Sequence, residues 1–196
     1  MFSGGVDSTA ALWHVLNNPD MYGEILVHHI HLYNVEGRWR AEAQAVEDIL
    51  AYMRIHTSTP FTASDSTIAV PSVGKDFLYD TEVIGFITGY ITSRDPSVTK
   101  VVIGVTGTDF EGASISQSVL RSRRLHAAFH GGTDGGVEKI YPHRDLTKQE
   151  VYDTLPLEVA KLTWSCRKPH NVNGRFIECG KCKTCRVELR RLTRKN

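Results

Sequence analysis

The run Val-Val-Ile-Gly-Val at residues 101–105 constrains the fold most. It is short, continuous and β-branched, and lacks the alternation of a strand with one face in water. A strand of that kind is buried on both faces, as in a parallel sheet covered by helices. Segments of matching kinds alternate around it. Residues 25–31 (ILVHHIH) read as a strand; residues 39–54 read as a helix in which Ala43, Val46, Ile49, Leu50 and Met53 recur at helical spacing. Residues 55–61 read as a further strand, 80–93 and 116–130 as helices, and 138–141 as the last strand. Thr147-Lys148-Gln149-Glu150 has the form of a capping box, so a helix starts there. The expected fold class is α/β, a doubly wound, mostly parallel sheet with helices on both faces. Ligands of such sheets bind beyond the carboxyl ends of the strands, so the turns there are where chemistry is sought.

At 196 residues the chain is expected to hold one main domain, residues 1–160, and a small C-terminal segment, residues 161–196. The longest uncharged apolar-leaning run, residues 83–92, is half of the ~20 residues a membrane span needs. No basic stretch followed by an apolar one opens the chain, so no secretory signal is read and a cytoplasmic protein is expected.

The opening turn is Ser3-Gly4-Gly5-Val6-Asp7-Ser8-Thr9, followed by a helical pattern in Ala10, Ala11, Leu12, Val15 and Leu16. Two glycines permit a tight turn, and Ser3, Ser8 and Thr9 supply hydroxyls. The turn feeds a helix N-terminus, whose free N–H groups and dipole favour a phosphate. It is neither a Walker loop nor a GxGxxG turn. Only Met1 and Phe2 precede it, where a full strand is expected, so either the native start is missing or the central strand is abnormally short.

All four cysteines lie near the other end, with spacing C-x12-C-x2-C-x2-C at Cys166, Cys179, Cys182 and Cys185. In an intracellular chain this reads as a structural zinc site, since four thiolates complete a tetrahedron and leave no open position. An iron–sulfur cluster uses the same donors. Residues 165–196 carry ten Lys and Arg against two Asp and Glu, a net +8, whereas residues 1–164 carry 13 against 20, a net −7. The basic excess is read first as compensation for metal-bound thiolates, with an anionic partner such as nucleic acid as the competing reading.

Ser3-Gly4-Gly5-Val6-Asp7-Ser8 resembles the SGGxDS motif of the PP-loop ATP pyrophosphatases. Together with Thr163, Ser165, Cys166 and the run Cys179-Gly180-Lys181-Cys182-Lys183-Thr184-Cys185, then Arg186, Arg190 and Arg191, it resembles the 7-cyano-7-deazaguanine synthase family. Weaker echoes are Gly104-Val105 with Asp109-Phe110, Thr147-Lys148, and Arg38 with Glu42. The resemblance implies an adenine nucleotide alpha hydrolase-like fold with a five-stranded sheet and a small zinc-binding segment. It implies that Ser3, Gly4, Gly5, Val6, Asp7, Ser8, Thr9 and Gly104 bind ATP, that magnesium assists, and that Asp7, Lys148 and Arg38 act on the phosphates or on a carboxylate. The implied substrates are a 7-carboxy-7-deazaguanine-type acid and ammonia, joined with cleavage of ATP to AMP and pyrophosphate, first to the amide and then to the nitrile. The implied assembly is a homodimer; direct nucleic-acid binding is not expected, the basic tail being the one route to it.

The departures from the family fall at the substrate end. Its YGQRH stretch is replaced around residues 33–40 (YNVEGRWR), and its SGYPDCR stretch by residues 111–117 (EGASISQ). A variant that stops at the amide, or passes the activated acid to another amine, would keep both ends and change this middle. A PP-loop enzyme modifying tRNA, and a non-catalytic zinc- and nucleotide-binding module, stand as further readings. His28, His29 and His31 look metal-like, but a strand points His28 away from the other two. Trp39, Trp164 and Tyr33 are read as packing residues, and Arg121, Arg123 and Arg124 as a solvated face.

Overall fold

The computed structural model describes residues 1–34, 36–70, 80–107 and 113–186, with the side chains of 113–116 excepted. The expected echo at Asp109-Phe110, most of the replaced stretch 111–117, and Arg190 and Arg191 lie outside the described residues or side chains.

The chain is mixed α/β. After the opening turn comes α1 (Val6–Leu16), a 3-10 turn (Pro19–Met21), β1 (Leu26–Tyr33), α2 (Trp39–His56), β2 (Thr62–Ala69) and α3 (Asp80–Arg94). Then follow β3 (Lys100–Val102), α4 (Ala113–Ala128), β4 (Glu138–Ile140), the short helices α5 (Lys148–Asp153) and α6 (Leu157–Ala160), and a hairpin of β5 (His170–Val172) and β6 (Arg175–Ile177). The pairs β1–β2 and β3–β4 are each parallel, and β5–β6 is antiparallel.

The described residues thus form three two-stranded sheets rather than the expected five-stranded one. The reason is visible between the two parallel pairs. Phe2 bridges His29 of β1 in parallel and its N–H donates to the His28 carbonyl at 2.8 Å. On the other side the Met1 nitrogen donates to the Val102 carbonyl of β3 at 3.1 Å. Phe2 makes an isolated bridge there and not a ladder, so the two pairs do not join into one sheet. The β3 strand is also shorter than the apolar run that announced it, although the Ile103 N–H still reaches the Ile140 carbonyl at 3.0 Å.

The expected strand at residues 55–61 is corrected by the structure. Ile55 and His56 end α2, and the strand begins at Thr62. The β2 sequence, TASDSTIA, is mostly exposed and has no apolar face to read. Its eight residues are held by register with β1, from Leu26–Thr62 to Tyr33–Ala69, so tertiary pairing sets it and not local propensity.

The main core joins α1, α2, the start of β1 and the α5–α6 region through Leu12, Val15, Leu16, Val46, Ile49, Met53, Val151 and Val159. Fully burying such side chains contributes about 1.5–3 kcal/mol each. A smaller cluster of Leu32, Val83 and Ile87 lies against α3. There α3 meets α4 at very close range: a Cβ on Gly85 would stand 2.2 Å from the Ser122 carbonyl oxygen.

Candidate functional site

The turn before α1 is shaped by Gly4, whose φ of +74° is a left-handed conformation that side chains other than glycine's rarely adopt. Ser3 and Ser8 then close the turn: their hydroxyls lie 3.0 Å apart, the Ser3 N–H donates to the Ser8 hydroxyl at 3.2 Å, and that hydroxyl donates to the Gly5 carbonyl at 3.1 Å. Gly5 caps α1 without a side chain, which leaves the helix's first N–H groups to other partners. The segment after α6 braces the turn from behind, through the Trp164 N–H donating to the Gly4 carbonyl at 2.8 Å.

Lys148 reaches the same place from the far side of the chain. Thr147 is the N-cap of α5, its hydroxyl accepting from the Glu150 N–H at 3.3 Å and its own N–H donating to the Glu150 carboxylate at 2.7 Å. This capping box, legible in the sequence, sets Lys148 as the first helical residue, and its ammonium forms an ion pair with Asp7. Gly104 completes the arrangement by close approach. A Cβ there would stand 2.5 Å from the Asp7 carbonyl and 2.6 Å from the Ser8 nitrogen.

These residues open on a cavity of about 650 Å³, whose wall includes Ser3, Asp7, Ser8, Gly104, Lys148 and Arg38. That volume lies within the range of small-molecule sites, roughly 300–1,000 Å³. Gly4, Gly5, Val6 and Thr9 are not on the wall. Val6 and Thr9 are buried, and Gly4 backs onto Val46 of α2.

Arg38, expected to meet a ligand's phosphate or carboxylate, is met by three carboxylates of the chain itself. It pairs with Glu36 at 2.6 Å, with Glu42 at 2.6 Å, and through one terminal nitrogen with both Asp80 oxygens at 2.7 and 2.8 Å. Burial pushes the Glu42 carboxyl up to about 7, against the pull of Arg38. The same burial works against the Arg38 charge, but Asp80 and Glu42 outweigh it and hold the guanidinium protonated. Arg167 joins this wall, 3.2 Å from Glu36 and 3.7 Å from Asp80. The Arg38–Glu42 spacing is legible in the sequence, but Asp80 and Arg167 are not, because ion pairs between distant segments leave no local pattern; Glu36, only two residues before Arg38, belongs to no motif that singles it out.

His29 also lines the cavity. Its Nδ1 lies 2.8 Å from the Phe2 carbonyl, which can only accept, so Nδ1 carries the proton. Burial lowers its pKa and keeps the ring neutral. The histidines divide by strand parity as expected: His29 and His31 make an edge contact at 4.5 Å between ring centres, while His28 turns to Ser64 at 2.8 Å. Trp39 packs against Tyr33 and His31, Trp164 donates its ring N–H to the Cys166 carbonyl, and Arg121, Arg123 and Arg124 are exposed.

The four cysteine sulfurs lie within 4.8 Å of one another. Tetrahedral zinc with Zn–S of about 2.3 Å requires sulfur–sulfur separations of about 3.8 Å. The Cys179–Cys185 and Cys182–Cys185 separations of 3.9 and 3.3 Å bracket that value, so these cysteines can bind a metal and fit a structural zinc. Backbone N–H groups already point at the sulfurs: those of Cys179 and Lys168 at Cys166, and those of Lys181 and Cys182 at Cys179. At Cys182, burial raises the thiol, but hydrogen bonds from the Thr184 hydroxyl and the Arg167 N–H outweigh it and bring it down to about 5. Gly180, at φ +65°, makes the turn between Cys179 and Cys182.

Among the described residues no helix is long and apolar enough to cross a membrane. No protein-family model matches this chain, and no curated protein matches it.

Proposed function

We propose that the chain is an ATP-dependent carbon–nitrogen ligase of the 7-cyano-7-deazaguanine synthase kind. The carboxylate of a 7-carboxy-7-deazaguanine-type acid attacks the α-phosphorus of ATP and pyrophosphate leaves. Ammonia then displaces AMP to give the amide, and a second activation of that amide, with loss of the oxygen to AMP, gives the nitrile. The observation that carries this reading is the meeting of Asp7 and Lys148, 141 residues apart, beside the N-terminus of α1 and on the wall of one cavity.

In this reading the Ser3–Ser8 turn and the first N–H groups of α1 hold phosphate oxygens. Lys148 supplies a positive charge that Asp7 holds at the rim, and Asp7 offers the carboxylate oxygen that magnesium favours. Gly104 lets the β3 side come close enough to close the wall over Asp7 and Ser8. The two parallel pairs are read as halves of a doubly wound, mostly parallel five-stranded sheet ordered β2–β1–Phe2–β3–β4. The hydrogen bonds on both sides of the opening dipeptide support that order. A structural zinc holds the C-terminal segment to the body and takes no part in the chemistry.

A second reading keeps the activation and changes its end: the chain stops at the amide or passes the acid to another amine. The occupation of Arg38 by Glu36, Glu42 and Asp80 favours it, because this wall lies where the family's substrate-end motif is replaced.

The test is mass spectrometry of a reaction with the deazaguanine acid, ATP, magnesium and ammonium. AMP with the nitrile is the expected result, AMP with the amide alone supports the second reading, and absence of AMP from folded, zinc-loaded protein overturns both. Asp7→Asn is expected to lower AMP formation at least about 100-fold while leaving thermal unfolding in place.

A further inference from the structure

The backbone of Arg167 belongs to the cysteine cluster and its side chain belongs to the cavity. It follows Cys166 directly, and the next N–H, that of Lys168, donates to the Cys166 sulfur at 3.4 Å. Its guanidinium extends the other way, to both Glu36 carboxylate oxygens at 3.2 and 3.3 Å and to Asp80 at 3.7 Å, and it lines the cavity.

The wall it reaches is poorly balanced without it. Glu36, Glu42 and Asp80 converge on Arg38, whose side chain is only 12% exposed. Three carboxylates around one guanidinium leave a surplus of negative charge in a half-buried place, and such a surplus pushes its members apart. Arg167 is the second cation. It touches Glu36 from the segment before α2 and Asp80 at the start of α3, so it ties together the same two elements that Arg38 bridges from within.

We infer that Arg167 is a positioning residue: anchored by the cysteine cluster, it fixes the β1–α2 segment and the start of α3 as one wall of the cavity, so that metal at the cysteines orders that wall. Each of its ion pairs is partly exposed and worth little alone. The effect lies in the fixed backbone from which they are made. The structural claim does not need the ligase reading; its catalytic consequence rests on it.

The test uses the full chain with zinc bound and follows hydrogen exchange in the first two turns of α2 and of α3. Arg167→Ala is expected to keep one zinc per chain and to speed exchange there about fivefold, as loss of roughly 1 kcal/mol of local ion pairing requires. Arg167→Lys recovers part of the protection, because it keeps the charge and loses the fork that meets two carboxylates. Stripping the metal from the unsubstituted chain speeds the same amides, and adds little in Arg167→Ala, because both changes break one connection. Unchanged exchange in Arg167→Ala, or an equal further gain on stripping the metal from that variant, overturns the inference. Where AMP is formed, Arg167→Ala is expected to raise KM for the acid more than it lowers kcat. If no AMP is formed at all, the ligase reading fails and the exchange result still decides the role of Arg167.

Discussion

The opening turn and the cysteine cluster are both compact arrangements of small loops, but different forces hold them. The turn stands on α1, in which Val6, Ala10, Ala11, Leu12, Val15 and Leu16 are buried, and it is braced by β3, α5 and the segment at Trp164. Among the described residues the cysteine segment has no such floor. Its hairpin exposes Val172 and Ile177 to about half, and only Cys166 and Cys185 among its four sulfurs' residues are buried. One region is a consequence of the hydrophobic core, and the other is organised around its own sulfurs. The lesson is that two sites on one chain can differ in what destroys them.

Removing the metal separates them most sharply. Apparent metal affinities of four-thiolate sites, of about 10–16 kcal/mol, are folding energy for segments with little core. Cys182→Ala, or a strong chelator, is therefore expected to abolish zinc binding and open residues 165–186 to protease, while the α1–α2 core resists. Equal protection of both regions without metal would break the comparison.

The converse perturbation strikes the turn and spares the metal. In Gly104→Ala the new methyl meets backbone atoms of Asp7 and Ser8 at 2.5–2.6 Å, and backbone cannot swing aside as a side chain end does. Overpacking of this kind costs about 1–3 kcal/mol, or a fall of roughly 2–12 °C in Tm for a chain of this size. Zinc content is expected to stay at one per chain. An unchanged Tm would show that the turn is less tightly seated than the geometry requires.

Much of this contrast is legible in the sequence, and the illegible part has a common cause. The helix of α2, the capping box at Thr147, the turn at Ser3 and the cysteine spacing are local patterns, each complete within a few turns of chain. β2 escapes a local reading because its exposed Ser, Thr and Asp carry no periodicity, and among the described residues its strand pairing is with β1. Of the carboxylates around Arg38, Asp80 escapes a local reading because it stands 42 residues away. Gly104 is a nucleotide contact only by resemblance, whereas its closeness to Asp7 and Ser8 is a steric reason for glycine there.

A further expected effect concerns pH, and it runs in opposite directions in the two regions. The Glu42 carboxyl sits near 7 when folded and near 4.5 when exposed, because burial disfavours its charge. Between those values the folded chain holds a proton that the unfolded chain has released, so stability falls as pH rises through that window. Glu42→Gln is expected to flatten the dependence of Tm on pH between 4.5 and 7. The cysteine segment responds the other way, since acid protonates the thiolates and loosens the metal. A Tm profile unchanged by Glu42→Gln would remove Glu42 from this account.

The ion pair between Asp7 and Lys148 has a consequence for how the protein is made. Synthesis at about 5–20 residues per second places roughly 7–28 seconds between the emergence of the two partners. The Trp164 bond to Gly4 follows later still. Through that interval the nascent chain carries its opening turn with neither brace in place. A cavity whose wall joins residues 141 positions apart is complete only after both have been made.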